Sequence, residues 1–230
     1  MKTIGLIGGM SWESSLEYYR IINETVKARL GGLHSAQSLM YSFDFHAIET
    51  LQQRGDWAAA TRLMVTAARQ LARGGADFLV ICTNTMHKMA DDVAAAVDIP
   101  LLHIADATAA AILAQGLTTV GLLGTNFTME EAFYRGRLES RHGLRVLVPE
   151  RPSRQIVHDV IYGELCLGVT RPDSRAQYRR IIADLAAAGA EGIIFGCTEI
   201  GLLVDQSDSP VPVFDTTRIH AETAVAFALA

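Results

Sequence analysis

Ala76-Asp77-Phe78-Leu79-Val80-Ile81-Cys82-Thr83-Asn84-Thr85 and Ala190-Glu191-Gly192-Ile193-Ile194-Phe195-Gly196-Cys197-Thr198-Glu199 are one pattern written twice. Each opens on alanine and an acid, continues as an apolar run of strand length and ends in thiol, hydroxyl and other polar side chains. A second matched pair lies upstream of each. Ile4-Gly5-Leu6-Ile7-Gly8-Gly9-Met10 aligns with Val120-Gly121-Leu122-Leu123-Gly124-Thr125-Asn126, and the segments preceding Pro100 and Pro212 are also alike. Self-similarity at this spacing reads as a duplicated structural unit.

Outward from these stretches, apolar runs of strand length fall at 3–7, 39–43, 78–82, 101–104, 119–123, 145–148, 192–195 and 211–214. Helical spacing marks 14–29, 57–73, 130–141 and 174–188. Near-continuous apolar strands alternating with amphipathic helices predict an α/β fold in which parallel sheets are covered on both faces. The uncharged stretch from Ala107 to Met129 is broken by Gln115-Gly116 and Thr118-Thr119, so it reads as helix, turn and strand. Ligands of such sheets bind outside the carboxyl ends of the strands, so two pseudo-equivalent domains are expected to enclose a site in the cleft between them. The segment 217–230 matches the helix after Asp106. Each domain needs a closing helix, which predicts one domain of residues 1–105 plus 217–230 and a second of 106–216.

The composition, 50% hydrophobic and 20% charged over 230 residues, is that of a chain able to bury its own core. A net charge of -5 without any run of lysines or arginines argues against nucleic acid and anionic membrane surfaces as partners. The three cysteines, Cys82, Cys166 and Cys197, contain no CxxC, so reduced thiols and a cytoplasmic location are expected. The apolar stretch after Lys2 is too short for a secretory signal.

Among residues that could carry chemistry, Gly5-x-x-Gly8-Gly9 follows a strand and precedes a helix, so its N–H groups could hold an anion. It lacks the spacing of a dinucleotide or P-loop motif, and a tight strand-to-helix turn explains the glycines equally well. Cys197 ends an apolar strand after Gly196, and Thr198-Glu199 looks like a helix start that would lend the thiol thiolate character. Cys82 ends the other copy's strand, where burial alone would also account for it. Cys166 reads as structural. His87 and His103 lack a recognised metal-ligand spacing and read as satisfied core or strand-end histidines. His103 and Asp215 fall at corresponding strand ends, which leaves a supporting role open, and Arg54 reads as a solvated loop residue.

Ile81-Cys82-Thr83-Asn84-Thr85-Met86-His87 and Phe195-Gly196-Cys197-Thr198-Glu199-Ile200-Gly201 resemble the two signature motifs of the aspartate/glutamate racemase family, and Gly5 to Met10 resembles its opening. The resemblance covers essentially the whole chain. It implies two Rossmann-like domains, a homodimer, an amino-acid substrate, and racemization without pyridoxal phosphate or metal. It also implies two thiols facing opposite sides of the substrate α-carbon, one removing the α-proton as thiolate while the other delivers a proton to the opposite face. Met10, Ser11, Asn84, Thr85, Thr125, Asn126, Thr198 and Glu199 occupy the places expected to bind the substrate and the enediolate.

The common family form is Cys-Asn-Thr, whereas this chain reads Cys82-Thr83-Asn84-Thr85. The internal repeat sets the register independently, because pairing Ala76 with Ala190 and Ile81 with Phe195 makes Thr83, not Cys82, the counterpart of Cys197. Side chains alternate along a strand, so Cys82 would point away from a site that Thr83 faces unless the strand end bulges. Two alternatives stand at this point. A bulge that admits Cys82 gives a two-thiol racemase acting on both enantiomers, and Thr83 in place gives one competent base and a preference for one enantiomer, by family analogy L. Hydantoin racemase, maleate isomerase and arylmalonate decarboxylase reuse the same scaffold. Glutamate racemase proper carries Cys-Thr-His where this chain has Cys197-Thr198-Glu199. A non-catalytic amino-acid-binding module and a thiol hydrolase are the readings from other classes.

Overall fold

The computed structural model describes residues 1–230. The chain runs β1 (Ile4–Gly8), α1 (Trp12–Leu30), β2 (Ser38–Ser42), α2 (Phe45–Arg54), α3 (Trp57–Arg73), β3 (Phe78–Ile81), α4 (Ala90–Ala95), β4 (Leu101–Leu102) and α5 (Ile104–Ala114). It continues as β5 (Thr119–Gly124), α6 (Asn126–Glu130), α7 (Arg135–His142), β6 (Arg145–Leu147), α8 (Arg151–Gly163), α9 (Pro172–Ala187), β7 (Gly192–Gly196), β8 (Val213–Asp215) and α10 (Thr216–Leu229). Two four-stranded, all-parallel sheets result, in the orders β2-β1-β3-β4 and β6-β5-β7-β8. The two orders are the same topology, as a duplicated unit requires. No helix is long and apolar enough to cross a membrane.

Two compact units divide the chain, Met1–His103 with His220–Ala230, and Ile104–Ile219. In the first, β1 and β3 are buried along their whole length, and alternation sends their side chains to two apolar layers. Leu79 and Ile81 pack with Met64, Ala67 and Ala68 of α3. Phe78, Val80 and Cys82 pack with Tyr18 and Ile22 of α1 and with Ala221, Ala224 and Val225 of α10. The second unit builds one layer set around Leu122, Leu123, Ile193, Ile194 and Phe195.

Local chemistry starts and stops these elements. Ser11, Asp44, Asp56 and Thr125 accept hydrogen bonds from first-turn N–H groups of α1, α2, α3 and α6, and Gly55 and Gly143 end α2 and α7 in the left-handed region. Gly9 has φ +79°, and an added Cβ would lie 2.4 Å from the Phe43 backbone, so this turn requires glycine.

Several expectations need correction. The single helix expected over 130–141 is two, because Glu131 is extended (φ -87°, ψ 152°) and the chain turns to bury Tyr134 completely. The strand expected at 101–104 stops at Leu102, and Ile104 already begins α5. The last strand starts at Val213, not 211. Helices α2 and α8 occur where helical spacing marked none. Arg54 ends α2 and is exposed, so it is solvated but belongs to a helix and not to a loop.

His220 is fully buried in the first unit, with Nε2 3.0 Å from the Leu102 carbonyl and Nδ1 2.9 Å from the Tyr18 hydroxyl. A carbonyl only accepts, so Nε2 carries the proton and Nδ1 accepts from Tyr18. Burial lowers the His220 pKa to about 4, outweighing the Leu102 hydrogen bond, which acts to raise it. The unfolded chain, with a histidine pKa of about 6.5, therefore binds more protons than the native state as pH falls below that value. This contribution is fully present above about pH 6.5 and decays toward pH 4, roughly 3 kcal/mol in all. Urea unfolding of the wild type should show that loss, and His220→Gln should flatten it. An acid limb unchanged in the variant would refute the assignment.

Candidate active site

The polar residues singled out in the sequence lie at the carboxyl ends of the central strands of each unit. In the first unit β1 ends at Gly8, and Gly9, Met10 and Ser11 lead into α1. The Gly9 N–H is already taken by Ser15 Oγ at 2.7 Å, and Ser11 Oγ caps the N–H of Ser14. These groups hold the turn itself, which is the structural role of the glycine motif. Met10 and Ser11 are buried beside it.

Strand β3 ends at Ile81, paired with Ile7, and the Cys82 N–H makes a further sheet bond to the Ile7 carbonyl at 2.9 Å. Cys82 is completely buried, its side chain in the apolar layer between the sheet, α1 and α10, and Ser14 Oγ donates to its carbonyl at 3.3 Å. Burial pushes its thiol pKa far above the ordinary value. Thr83 retains 8% of its surface, and Asn84 and Thr85 are buried next to it at the start of a short 3-10 turn, Thr85–Met89. His87, on that turn, reaches back to the Thr83 carbonyl at 2.7 Å.

In the second unit β5 ends at Gly124. Thr125 caps α6 through its hydroxyl, and Asn126 follows, its N–H 3.2 Å from His158 Nδ1 and its amide nitrogen 3.4 Å from Gln155 Oε1. Strand β7 runs to Gly196, paired with Gly124. A Cβ at Gly196 would lie 2.6 Å from Leu122 Cδ1 and 2.9 Å from the Leu123 carbonyl oxygen, so this position has no room for a side chain. Cys197, Thr198 and Glu199 follow, and hydroxyls of Thr216 and Thr217 tie the Phe195 and Thr198 carbonyls. Asp215 accepts from the N–H groups of Thr217 and Arg218, which makes it a cap of α10.

Strand pairing places the two copies in register. Ile7 pairs with Ile81 and Leu123 with Phe195, so the residues two beyond these rungs are Thr83 and Cys197, each 8% exposed. Cys82 corresponds to Gly196, the position packed tight against its own sheet. Strand β3 shows no bulge in this pairing.

The Cys197 thiol donates to Glu199 Oε2 at 2.9 Å, and the Thr198 hydroxyl donates to the same oxygen at 2.9 Å. Burial first, the Glu199 charge second and the neighbouring Cys166 third hold the Cys197 pKa well above its ordinary value. The helix start expected to lower it is absent, because Ile200–Leu202 is a single 3-10 turn without a macrodipole. The resting group is therefore a thiol hydrogen-bonded to the Glu199 side chain. Glu199, expected among substrate-binding residues, is bonded to the thiol, and the influence of Cys166 was not visible in the spacing of the sequence. No group of three or more His, Cys, Asp and Glu side chains converges in a way that could hold a metal ion.

Comparison with known proteins agrees with this architecture. The family model described as Asp/Glu/hydantoin racemase matches residues 7–224. A Yersinia pestis protein provisionally assigned as an Asp/Glu racemase is 58% identical, superposes with a TM-score of 0.93 and matches over 100% of both chains. PH1733, an aspartate racemase homologue from Pyrococcus horikoshii OT3, is 34% identical with a TM-score of 0.86, again over 100% of both chains. The broad specificity amino-acid racemase RacX of Bacillus subtilis is 24% identical over 173 residues, 74% of this chain and 72% of RacX. With the duplicated parallel sheets and both strand-end motifs in place, the chain belongs to the Asp/Glu/hydantoin racemase family, and is an isomerase of the racemase class.

Proposed function

We propose that the protein racemizes aspartate or glutamate without a cofactor, with Cys197 and Thr83 on opposite faces of the substrate α-carbon, and that it favours the L-enantiomer. The observation that carries this reading is the register: the position equivalent to Cys197 is Thr83, while the Cys82 sulfur lies in the apolar layer under α1 and α10.

The steps balance in protons. Cys197 passes its thiol proton to the Glu199 carboxylate, and the thiolate then takes the α-proton of the L-amino acid, leaving an enediolate. Thr83 Oγ1–H delivers a proton to the opposite face of the carbon, the alkoxide recovers one from water, and Glu199 gives up the proton it received, which neutralises the hydroxide and restores the starting state. Starting from the D-enantiomer would need the Thr83 alkoxide as the resting base, and an unactivated hydroxyl is too weak an acid to supply it. The buried hydroxyl, amide and N–H groups at Ser11, Asn84, Thr85 and Thr125, with the half-buried Asn126, are the groups proposed to hold the enediolate. Following the resemblance, the enzyme is proposed to be a cytoplasmic homodimer.

The test uses purified protein without added cofactor in D₂O, supplied separately with L- and D-aspartate and L- and D-glutamate. Because a racemization has an equilibrium constant of one, kcat/KM is the same from either hand, so the expected result is inversion with α-deuteration whose maximal rate is higher from the L-enantiomer than from the D-enantiomer. Equal turnover from both hands would replace Thr83 by a second thiol, and no exchange with any of the four would overturn the assignment. Glu199→Gln separates the two effects of that carboxylate. Losing its charge should speed Cys197 alkylation at neutral pH, because the thiol pKa falls, yet losing the proton acceptor should slow α-exchange by about 10²-fold. Unchanged exchange in a folded variant would remove Glu199 from the mechanism.

A further inference from the structure

Building on the role given to Thr83 above, the structure points to the element that holds it. Sheet pairing on β3 ends at Ile81, and the Cys82 N–H to Ile7 bond is the last bond of the ladder. Thr83 lies beyond it. In the other copy the strand pairs one residue further, to Gly196, and two threonine hydroxyls secure the carbonyls around Cys197. On the Thr83 side, the corresponding tie comes from a histidine.

His87 is 2% exposed and sits one turn after Thr83, its N–H bonded to the Asn84 carbonyl at 3.1 Å. Its Nδ1 is 2.7 Å from the Thr83 carbonyl oxygen. A carbonyl only accepts, so Nδ1 carries the proton and the bond is a directed donor. The ring cannot swing away freely, because it lies 4.5 Å from the His103 ring and 5.8 Å from the His220 ring, centroid to centroid. His220 is itself clamped between Tyr18 and the Leu102 carbonyl. A buried stack of three histidines, anchored at its far end by two hydrogen bonds, thus fixes the peptide that follows Thr83.

We propose that His87 is a positioning residue for the Thr83 hydroxyl, acting through the Thr83 carbonyl and not by touching the substrate. The inference rests on Thr83 being the acid that returns the proton. A residue that only orients Thr83 affects proton return and leaves proton removal by Cys197 alone. The two steps are read separately in D₂O, since α-deuteration of recovered L-substrate reports removal, and D-product reports return to the opposite face.

The experiment compares wild type with His87→Leu, His87→Asn and His87→Gln on L-aspartate and L-glutamate, with thermal unfolding as a control for folding. The Asn amide nitrogen takes the place of Nδ1, whereas the Gln amide nitrogen takes the place of Nε2. His87→Leu should lower the ratio of inversion to exchange about tenfold, the rate equivalent of one neutral hydrogen bond. His87→Asn should restore the ratio and His87→Gln should not. Loss of both steps together, loss of neither, or identical behaviour of the Asn and Gln variants would overturn the proposal. If the leucine variant does not fold, the contrast between Asn and Gln decides alone. Thr83→Ala run in parallel separates this inference from its basis. Inversion surviving in Thr83→Ala refutes the role of Thr83 and this proposal with it. Inversion lost there while the His87 variants keep the wild-type ratio refutes only the positioning role.

Discussion

Cys197→Ala is expected to lose α-deuteration and inversion together, by about 10³-fold or more, because the group proposed to open the reaction is gone. The expectation follows from the arrangement at the end of β7. The thiol is buried, its proton is directed onto Glu199 Oε2, and its counterpart across the repeat is a hydroxyl that cannot serve as a resting base. The variant should fold, since removing one sulfur at a position that keeps 8% of its surface leaves at most a small cavity. Exchange and inversion are read in D₂O by mass spectrometry and chiral chromatography. Deuteration of L-substrate surviving in Cys197→Ala would mean that another base removes the α-proton.

Thr83→Cys is expected to change what the enzyme accepts. A thiol at that position has an unperturbed pKa of about 8.5 and populates its thiolate at modest cost, so it can act as acid or base. The maximal rate from the D-enantiomer, expected to be low in the wild type, should rise by on the order of 10²-fold, the usual contribution of a competent general base. Turnover from the L-enantiomer should persist. The gain must appear in exchange at the D-substrate as well as in inversion, since the new thiol removes the proton that the hydroxyl could not. A Thr83→Cys variant that folds and still ignores the D-enantiomer would contradict the place assigned to this residue.

The duplication made most of the fold legible. Gly5-Leu6-Ile7-Gly8 and Val120-Gly121-Leu122-Leu123 lie on the central strands that the self-comparison marks, and the common strand order of the two sheets follows from the repeat. The apolar runs marked the central strands β1, β3, β5 and β7 because parallel strands buried on both faces need no alternation. Helix α2 escaped because its large apolar residues are three, Phe45, Ile48 and Leu51, all packed on the core, which over ten residues is too short a run to fix a period. Its Asp44 cap and Gly55 stop were the signals available. Helix α8 carried a similar unread signal, Pro152 in its first turn followed by Ile156, Val157, Val160 and Ile161 at helical spacing.

The candidate site was legible in position and less so in chemistry. The repeat alone indicated that Thr83 corresponds to Cys197, and the paired strands carry the same register. The electrostatics of Cys197 were not readable, because Thr198-Glu199 can open a helix or a turn. A helix would have drawn the thiol pKa down, whereas burial first, and second the Glu199 side chain that the turn brings onto the sulfur, raise it. Nor could spacing reveal the histidine stack, whose members His87, His103 and His220 meet only once the final helix closes on the first sheet.

The most direct test of the central claim sets Thr83→Ala beside Cys82→Ala, each given L-aspartate and L-glutamate in D₂O. With Thr83 as the acid, Thr83→Ala continues to wash deuterium into L-substrate but forms almost no D-product. Cys82→Ala loses roughly 1 kcal/mol of stability from a buried core position and keeps both activities. The opposite pattern, inversion intact in Thr83→Ala and abolished in Cys82→Ala, would place the buried thiol at the substrate and contradict the account.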